Sequence, residues 1–135
     1  MTDVNGLRTK ASVFGPKETM RRLEASVTSH GMEVFARIDH AAGAEKAGLA
    51  LRPTELLLFG TAKAGTLLMQ VAQTIGIDLP LKALVWQDAD GHTWLSYDDP
   101  HWLVARHGAL GAVDARLAQM TTLLGELAKA ATEAT

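Results

Sequence analysis

Hydrophobic and polar positions along the chain predict strands that alternate with helices. Residues Arg8 to Phe14 predict a first strand. Gly15-Pro16 then opens a helix, because proline suits the first helical position. Met20, Leu23 and Val27 recur at helical spacing, so this helix is expected to place one apolar face on a core.

A second strand is predicted from Met32 to Asp39, where apolar and polar residues alternate. Phe35 is the exception on the polar side. The apolar side chains would form one buried face, and they are Met32, Val34, Ala36 and Ile38. This alternation is typical of a strand that lies with one side on the core.

The next three segments continue the alternation. Residues Ala41 to Ala50 predict a short helix, and Gly65 to Gln73 predict another. Between them, the apolar run Leu56 to Phe59 predicts a strand that is buried on both faces.

After residue 100 the pattern is helical. Pro100 opens a short helix, and an amphipathic helix is expected over about 112–130. No repeat or linker interrupts the chain, so we expect a single domain over 1–135 with a core over about 8–107. The order of elements predicts an α+β (two-layer α/β) fold with a mixed β-sheet and helices packed on it.

The stretch from Leu79 to Pro100 predicts a β-hairpin that turns at Asp90-Gly91. A two-residue loop would give the cross-strand pairs Trp86–Leu95 and Lys82–Asp99. A three-residue loop with a left-handed glycine would instead give Trp86–Trp94 and Lys82–Asp98. Both strands are apolar on both faces in the middle, so the pattern leaves the register open and indicates that helices or another subunit cover the second face.

Composition excludes several classes of function. The chain has 135 residues, of which 47% are hydrophobic and 21% charged, with a net charge of −2. Without cysteine there is no disulfide, thiolate metal site or thiol nucleophile. The near balance of charges argues against nucleic-acid binding, and no apolar run has the length of a membrane span or a secretion signal. We therefore expect a cytoplasmic protein that binds neither nucleic acid nor membrane.

Several short blocks occur in an order and spacing that resemble the DUF302 family, the TT1751-like domains of bacteria and archaea. They are Phe59-Gly60, Gly65 to Met69, Asp78 to Lys82, Val85-Trp86, Asp90-Gly91 and Ser96 to Pro100, with Ile38 to Ala42 and Leu51 to Pro53 upstream. The chain departs from the family at Thr61-Ala62, where the family usually carries Asn-Pro. The resemblance implies a small α/β domain that is often a homodimer, and it implies no established reaction.

Three groups of residues are candidates for a site. The loop from Gly60 to Thr66 joins a strand to a helix and could bind an anion, although it lacks the lysine of a nucleotide-binding loop. Asp39-His40 could transfer a proton or join His101 in a metal site. Lys82 with Asp98 is either a reactive lysine or a structural ion pair.

We therefore expect a homodimeric domain that binds a small ligand, with an anion as one candidate. The expected ligand-binding residues are His40, Phe59, Gly60, Thr61, Asp78, Lys82, Tyr97 and Asp98. No metal site and no cofactor are assigned. Two alternatives remain open at this point: an enzyme that uses His40, Lys82 and Asp98 in acid–base or metal-assisted chemistry, and a protein-interaction module without a ligand pocket.

Overall fold

Five strands and their connecting helices account for most of the described residues, which are 4–109, 111 and 113–134 of a computed structural model. Their order is β1 (Leu7–Ser12), α1 (Pro16–Ser29), β2 (Glu33–Asp39), α2 (His40–Lys46), β3 (Thr54–Gly60), α3 (Ala62–Val71), a 3-10 helix (Gln73–Asp78), β4 (Leu81–Gln87), β5 (Thr93–Asp98), α4 (Pro100–Ala105) and α5 (Asp114–Thr132). The α+β fold is confirmed.

The strands form one sheet in the order β1-β5-β4-β3-β2, and every neighbouring pair is antiparallel. The prediction of a mixed sheet is therefore wrong. A helix between two strands suggested a parallel crossover, but α2 and α3 lie in connections where the chain reverses direction. Only the connection through α1 crosses the sheet, from the β1 edge to the β2 edge.

Helices α1 and α5 cover one side of the sheet, which we name the first face. Its buried strand residues include Leu57, Phe59 and Val85, and they pack against Met20 and Leu127 of the two helices. Each of these five side chains is at most 1% exposed. Burial of this apolar surface is the main source of the fold's stability, at about 25 cal/mol per Å².

The opposite side of the sheet, which we name the second face, is less covered. Leu56, Leu84 and Trp86 point to it and are half-buried, whereas Leu57 and Phe59 on the first face are fully buried. No residue of the second face belongs to the buried apolar clusters of the described chain. The prediction that β3 is buried on both faces is therefore wrong for this chain taken alone.

A β-bulge explains the irregular pattern around Phe35. The pairing of β2 with β3 shifts between Val34, which pairs with Phe59, and Ala36, which pairs with Leu58. Because Phe59 and Leu58 point to opposite faces, the bulge places Val34 and Ala36 on opposite faces as well. The single apolar face predicted for this strand is therefore divided in two.

Of the two loops predicted for the hairpin, the structure has the three-residue loop. The amide of Asp88 donates to the His92 carbonyl oxygen at 2.9 Å, and Gly91 has a left-handed φ of +84°. Trp86 lies opposite Trp94, with ring centroids 6.1 Å apart. A side chain at position 91 would be strained, which explains why the turn needs a glycine there.

Asp88 holds this turn together through its carboxylate. One oxygen accepts the amides of Asp90 and His92 at 2.9 Å each, and the other accepts the indole N–H of Trp94 at 2.8 Å. The Trp94 hydrogen bond, helped by the two amides, lowers the pKa of Asp88 below its usual value. The charged carboxylate is thus part of the folded turn.

We predict that Trp94→Phe raises the pKa of Asp88 towards its ordinary value, because it removes the indole donor. A carboxyl group with a lowered pKa stabilises the fold above its unfolded pKa, and this contribution is lost as the pH falls through the folded pKa, here below about pH 4. A carboxyl NMR titration measures the change. Trp86→Phe is the matched control, because the Trp86 indole donates to Ser96 instead; an equal shift in both variants contradicts the prediction.

Candidate functional site

A cavity of about 520 Å³ opens where β3 ends, between that strand end, α3, the 3-10 helix and α5. Its walls are mostly apolar, and they include Phe35, Phe59, Leu68, Met69, Leu79, Leu81, Met120 and Leu123. The volume lies within the range of small-ligand sites in proteins, which are typically about 300–1,000 Å³. Mostly apolar walls suit a ligand that buries hydrocarbon surface.

Glycines keep this space open. Gly60 ends β3 with a φ of +146°, a conformation that side chains rarely allow. Gly65 lies one turn into α3, where an added Cβ would sit 3.5 Å from Cδ1 of Leu79. A larger side chain at position 65 would therefore extend from α3 into the cavity.

Polar side chains are few, and two of them, Thr61 and Thr66, lie near the start of α3. Thr61 caps this helix, with its hydroxyl oxygen 3.2 Å from the amide nitrogen of Ala64. The first helical amides, those of Ala62 and Lys63, have no intrahelical acceptor, as at every helix start. On another wall, Nδ1 of His30 lies 2.8 Å from the carbonyl oxygen of Ser26.

The structure places three of the eight expected site residues at this cavity: Phe59, Gly60 and Thr61. Lys82 and Asp98 line a separate depression of about 340 Å³ on the second face. Tyr97 borders this depression, but it lies opposite Ala83 and packs against the buried cluster of the first face. The Lys82 ammonium donates to the carbonyl oxygen of Asp78 at 2.8 Å, and no described ion pair joins it to Asp98. The expected single site is therefore divided between the two sides of the sheet.

His40 lies away from both cavities. Asp39, just before it, pairs with Glu55, whereas Lys82 pairs with Leu58, three positions and roughly 10 Å further along β3. His101 follows β5, whose final residue Asp98 is at the Lys82 end of the sheet. The structure therefore does not bring His40 to Lys82, to Gly60 or to His101, because antiparallel strands carry these residues to opposite ends.

Asp78 has partners that the sequence did not reveal. Its carboxylate accepts a short hydrogen bond from Nε2 of His107 and lies 3.2 Å from the guanidinium of Arg106. The other ring nitrogen of His107, Nδ1, is 2.8 Å from the hydroxyl of Thr74. Thr74 and Asp78 are four residues apart, but His107 is 29 residues further along the chain, so no local pattern marks the cluster.

Potential metal ligands also meet at the hairpin turn, where atoms of Asp88, Asp90 and His92 lie within 4.8 Å of one another. Both oxygens of Asp88 already accept hydrogen bonds from the turn and from Trp94. The hydrogen bonds of the turn are therefore sufficient to explain why these side chains are close.

Comparison with known proteins agrees with this architecture. A crystal structure of an uncharacterised conserved DUF302 protein from Bacillus stearothermophilus superposes with a TM-score of 0.84. The match covers 95% of this chain and 99% of that one, at 22% sequence identity. At this identity the likeness concerns the fold. Among the described residues, no helix has both the length and the apolar character needed to cross a membrane.

Curated relatives are more similar in sequence. A protein of Brucella suis named fluoride-specific ion channel FluC 1 is 46% identical over 125 residues, which are 93% of this chain and 49% of that protein. The protein of the same name from Brucella abortus is also 46% identical, with 46% of its length covered. The chain thus spans about half the length of the curated relatives it matches. The model of the family described as "domain of unknown function DUF302" matches residues 8–127, and the chain belongs to this family.

Proposed function

We propose that this protein is a homodimeric small-ligand-binding domain, and that its ligand occupies the 520 Å³ cavity at the end of β3. The cavity itself is the observation that supports the proposal most strongly. Its walls come from the end of the sheet and from three helical segments, so the fold forms the space by itself. Phe59, Gly60 and Thr61 are the expected site residues that take part.

The chemistry of the walls defines the ligand. An apolar body would lie against Phe59, Leu68 and the methionines, whose flexible side chains adapt to different shapes. A polar or anionic group would lie at the start of α3, where the amides of Ala62 and Lys63 and the helix dipole favour negative charge. The proposed ligand is therefore a small amphipathic molecule.

Filling the cavity from α3 tests this proposal. We predict that Gly65→Leu weakens binding of the apolar anion 8-anilinonaphthalene-1-sulfonate at least about tenfold, because the new side chain occupies ligand space. Fluorescence titration gives the dissociation constant, and native mass spectrometry of wild type and variant reports any small molecule retained on purification.

Gly125→Leu is the matched control. Gly125 is also inside a helix, but an added Cβ there has no neighbour within 4 Å. Both changes favour helix formation similarly, by up to about 1 kcal/mol. Binding by Gly65→Leu that equals binding by Gly125→Leu would place the ligand elsewhere and contradict the proposal.

The second face supports the homodimer. Its half-buried apolar residues lie beside Lys82 and Asp98, which are of opposite charge and line the same depression. In a twofold symmetric pair, Lys82 of each protomer can approach Asp98 of the other. The five-stranded face measures roughly 24 by 20 Å. A dimer formed through this face would bury about 1,000 Å², summed over both protomers, which is near the lower limit of specific interfaces.

The same face supports a second candidate function, an interaction module. The Brucella proteins named fluoride-specific ion channels contain about as much chain again outside the matched region. In such a protein another segment could cover the second face in place of a second copy. A purified chain that is monomeric in solution favours this alternative over the homodimer. The enzyme that would use His40, Lys82 and Asp98 lacks support, because His40 lies at the other end of the sheet from Lys82 and Asp98.

A further inference from the structure

Thr74, His107 and Asp78 form a continuous hydrogen-bonded chain outside the cavity. Thr74 Oγ1 is 2.8 Å from Nδ1 of His107, and Nε2 of the same ring bonds the Asp78 carboxylate. The side chains of His107 and Asp78 are only 8% and 15% exposed, whereas Thr74 is exposed. The Asp78 end of this hydrogen-bonded series is thus largely buried in the protein, and the Thr74 hydroxyl at its other end faces solvent.

The carboxylate determines which ring nitrogen carries the proton. An ionised Asp78 only accepts hydrogen bonds, so Nε2 of a neutral His107 is the protonated nitrogen. Nδ1 is then left with its lone pair, and the Thr74 hydroxyl must donate to it. A hydroxyl that donates to a neutral imidazole held by a carboxylate is the arrangement by which proteins activate an oxygen nucleophile.

Two cations hold Asp78 in place, one through its carboxylate and one through its backbone. The guanidinium of Arg106 lies 3.2 Å from Oδ1 of Asp78, and the Lys82 ammonium bonds the carbonyl oxygen of the same residue at 2.8 Å. Asp78 therefore has a fixed position at the end of the 3-10 helix that also carries Thr74. This helix places the hydroxyl and the carboxylate on either side of the ring.

A second Thr–His contact in the protein lacks this arrangement. Thr121 Oγ1 is 3.4 Å from Nδ1 of His101, and the nearby carboxylate of Asp99 approaches that same nitrogen at 3.6 Å. No described carboxylate bonds Nε2 of His101. Thr121 is therefore an internal control for Thr74. It is also an exposed threonine beside a histidine, but no described carboxylate determines which nitrogen of that ring carries the proton.

We propose that Thr74 is a nucleophile that accepts an acyl group from an ester with a good leaving group, and that His107 is its general base. Oγ1 of Thr74 forms a bond to the acyl carbon while its proton passes to Nδ1 of His107. The bond from the acyl carbon to the leaving oxygen breaks, and that oxygen takes the proton from His107. Water then attacks the acyl-threonine with the same base, which releases the acid and restores the hydroxyl. Asp78 is the positioning residue.

Acylation by 4-nitrophenyl acetate tests the nucleophile. In the wild-type protein, Thr74 should acquire one acetyl group at least about tenfold faster than Thr121 does. Peptide mass spectrometry locates the acetylated residue. Thr74→Val should abolish this modification while it keeps the side-chain shape. Equal acetylation of Thr74 and Thr121 in the wild type would overturn the proposal.

The role of Asp78 has a separate readout. Asp78→Asn presents an amide that can donate to Nε2, which would move the ring proton to Nδ1 and slow Thr74 acetylation at least about tenfold. Nitrogen NMR of the His107 ring should show protonated Nε2 in the wild type and protonated Nδ1 in the variant. A wild-type His107 ring protonated at Nδ1 would overturn the proposal. This measurement needs only the wild-type protein, so the test remains possible even if Asp78→Asn is less stable.

Discussion

Leu84→Glu is expected to convert the proposed homodimer into a folded monomer. Leu84 lies in the middle of the second face, where a dimer would bury the new carboxylate without a partner. We expect the dimer dissociation constant to rise at least about 100-fold, or about 2.7 kcal/mol. The monomer should stay folded, because Leu84 is half-buried and belongs to neither buried cluster of the described chain.

Sedimentation velocity over a concentration series measures this change, and circular dichroism checks the fold. Leu49→Glu is the control, because Leu49 is 69% exposed and lies outside the strands. It should leave the dimer intact. A wild type that is monomeric at about 10 μM would contradict the homodimer and favour the interaction module.

The two charges of the second face sharpen the same test. Lys82→Asp and Asp98→Lys should each weaken the dimer, because each places like charges together across the twofold axis. The double exchange should recover part of the loss, since it restores opposite charges. Loss without recovery would indicate that the two side chains do not meet in the dimer.

Phe59→Ala is expected to lower the free energy of unfolding by about 3–5 kcal/mol. Phe59 is 0% exposed, belongs to the main buried cluster and forms part of the cavity wall. The change removes a ring from a packed site that cannot fully collapse around the loss. Urea unfolding followed by circular dichroism measures the effect.

Phe35→Ala is the matched control, because Phe35 lines the same cavity but is 43% exposed. Its truncation should cost clearly less than that of Phe59. Equal losses would show that the exposed ring contributes as much as the buried one, contrary to the packing described for the first face.

Local patterns predicted the elements of the fold well. Pro16 opens α1 as expected, and the hairpin has one of the two predicted registers, because a glycine turn permits few loop geometries. The direction of the strands was not predictable in this way. Whether the chain reverses or crosses after a helix depends on which strands pair, and that is decided by contacts between distant segments.

The candidate site shows the same limit. Gly60 and Thr61 carry a local signal, a strand end followed by a helix cap, and they do line the cavity. The opposite wall includes Met120, which comes about sixty residues later in α5 and carries no such signal. The link between Asp78 and His107 was hidden for the same reason.

The pairing of β1 with β5 has a consequence for folding during synthesis. Strands β2 to β5 are neighbours both in sequence and in the sheet, so they can assemble in order as they emerge. Leu7–Ser12 must wait for Thr93–Asp98, and joining them closes a loop of most of the chain. Until then β5 has an unpaired edge, and the first strand of another nascent chain can occupy it, which would produce a strand-exchanged dimer.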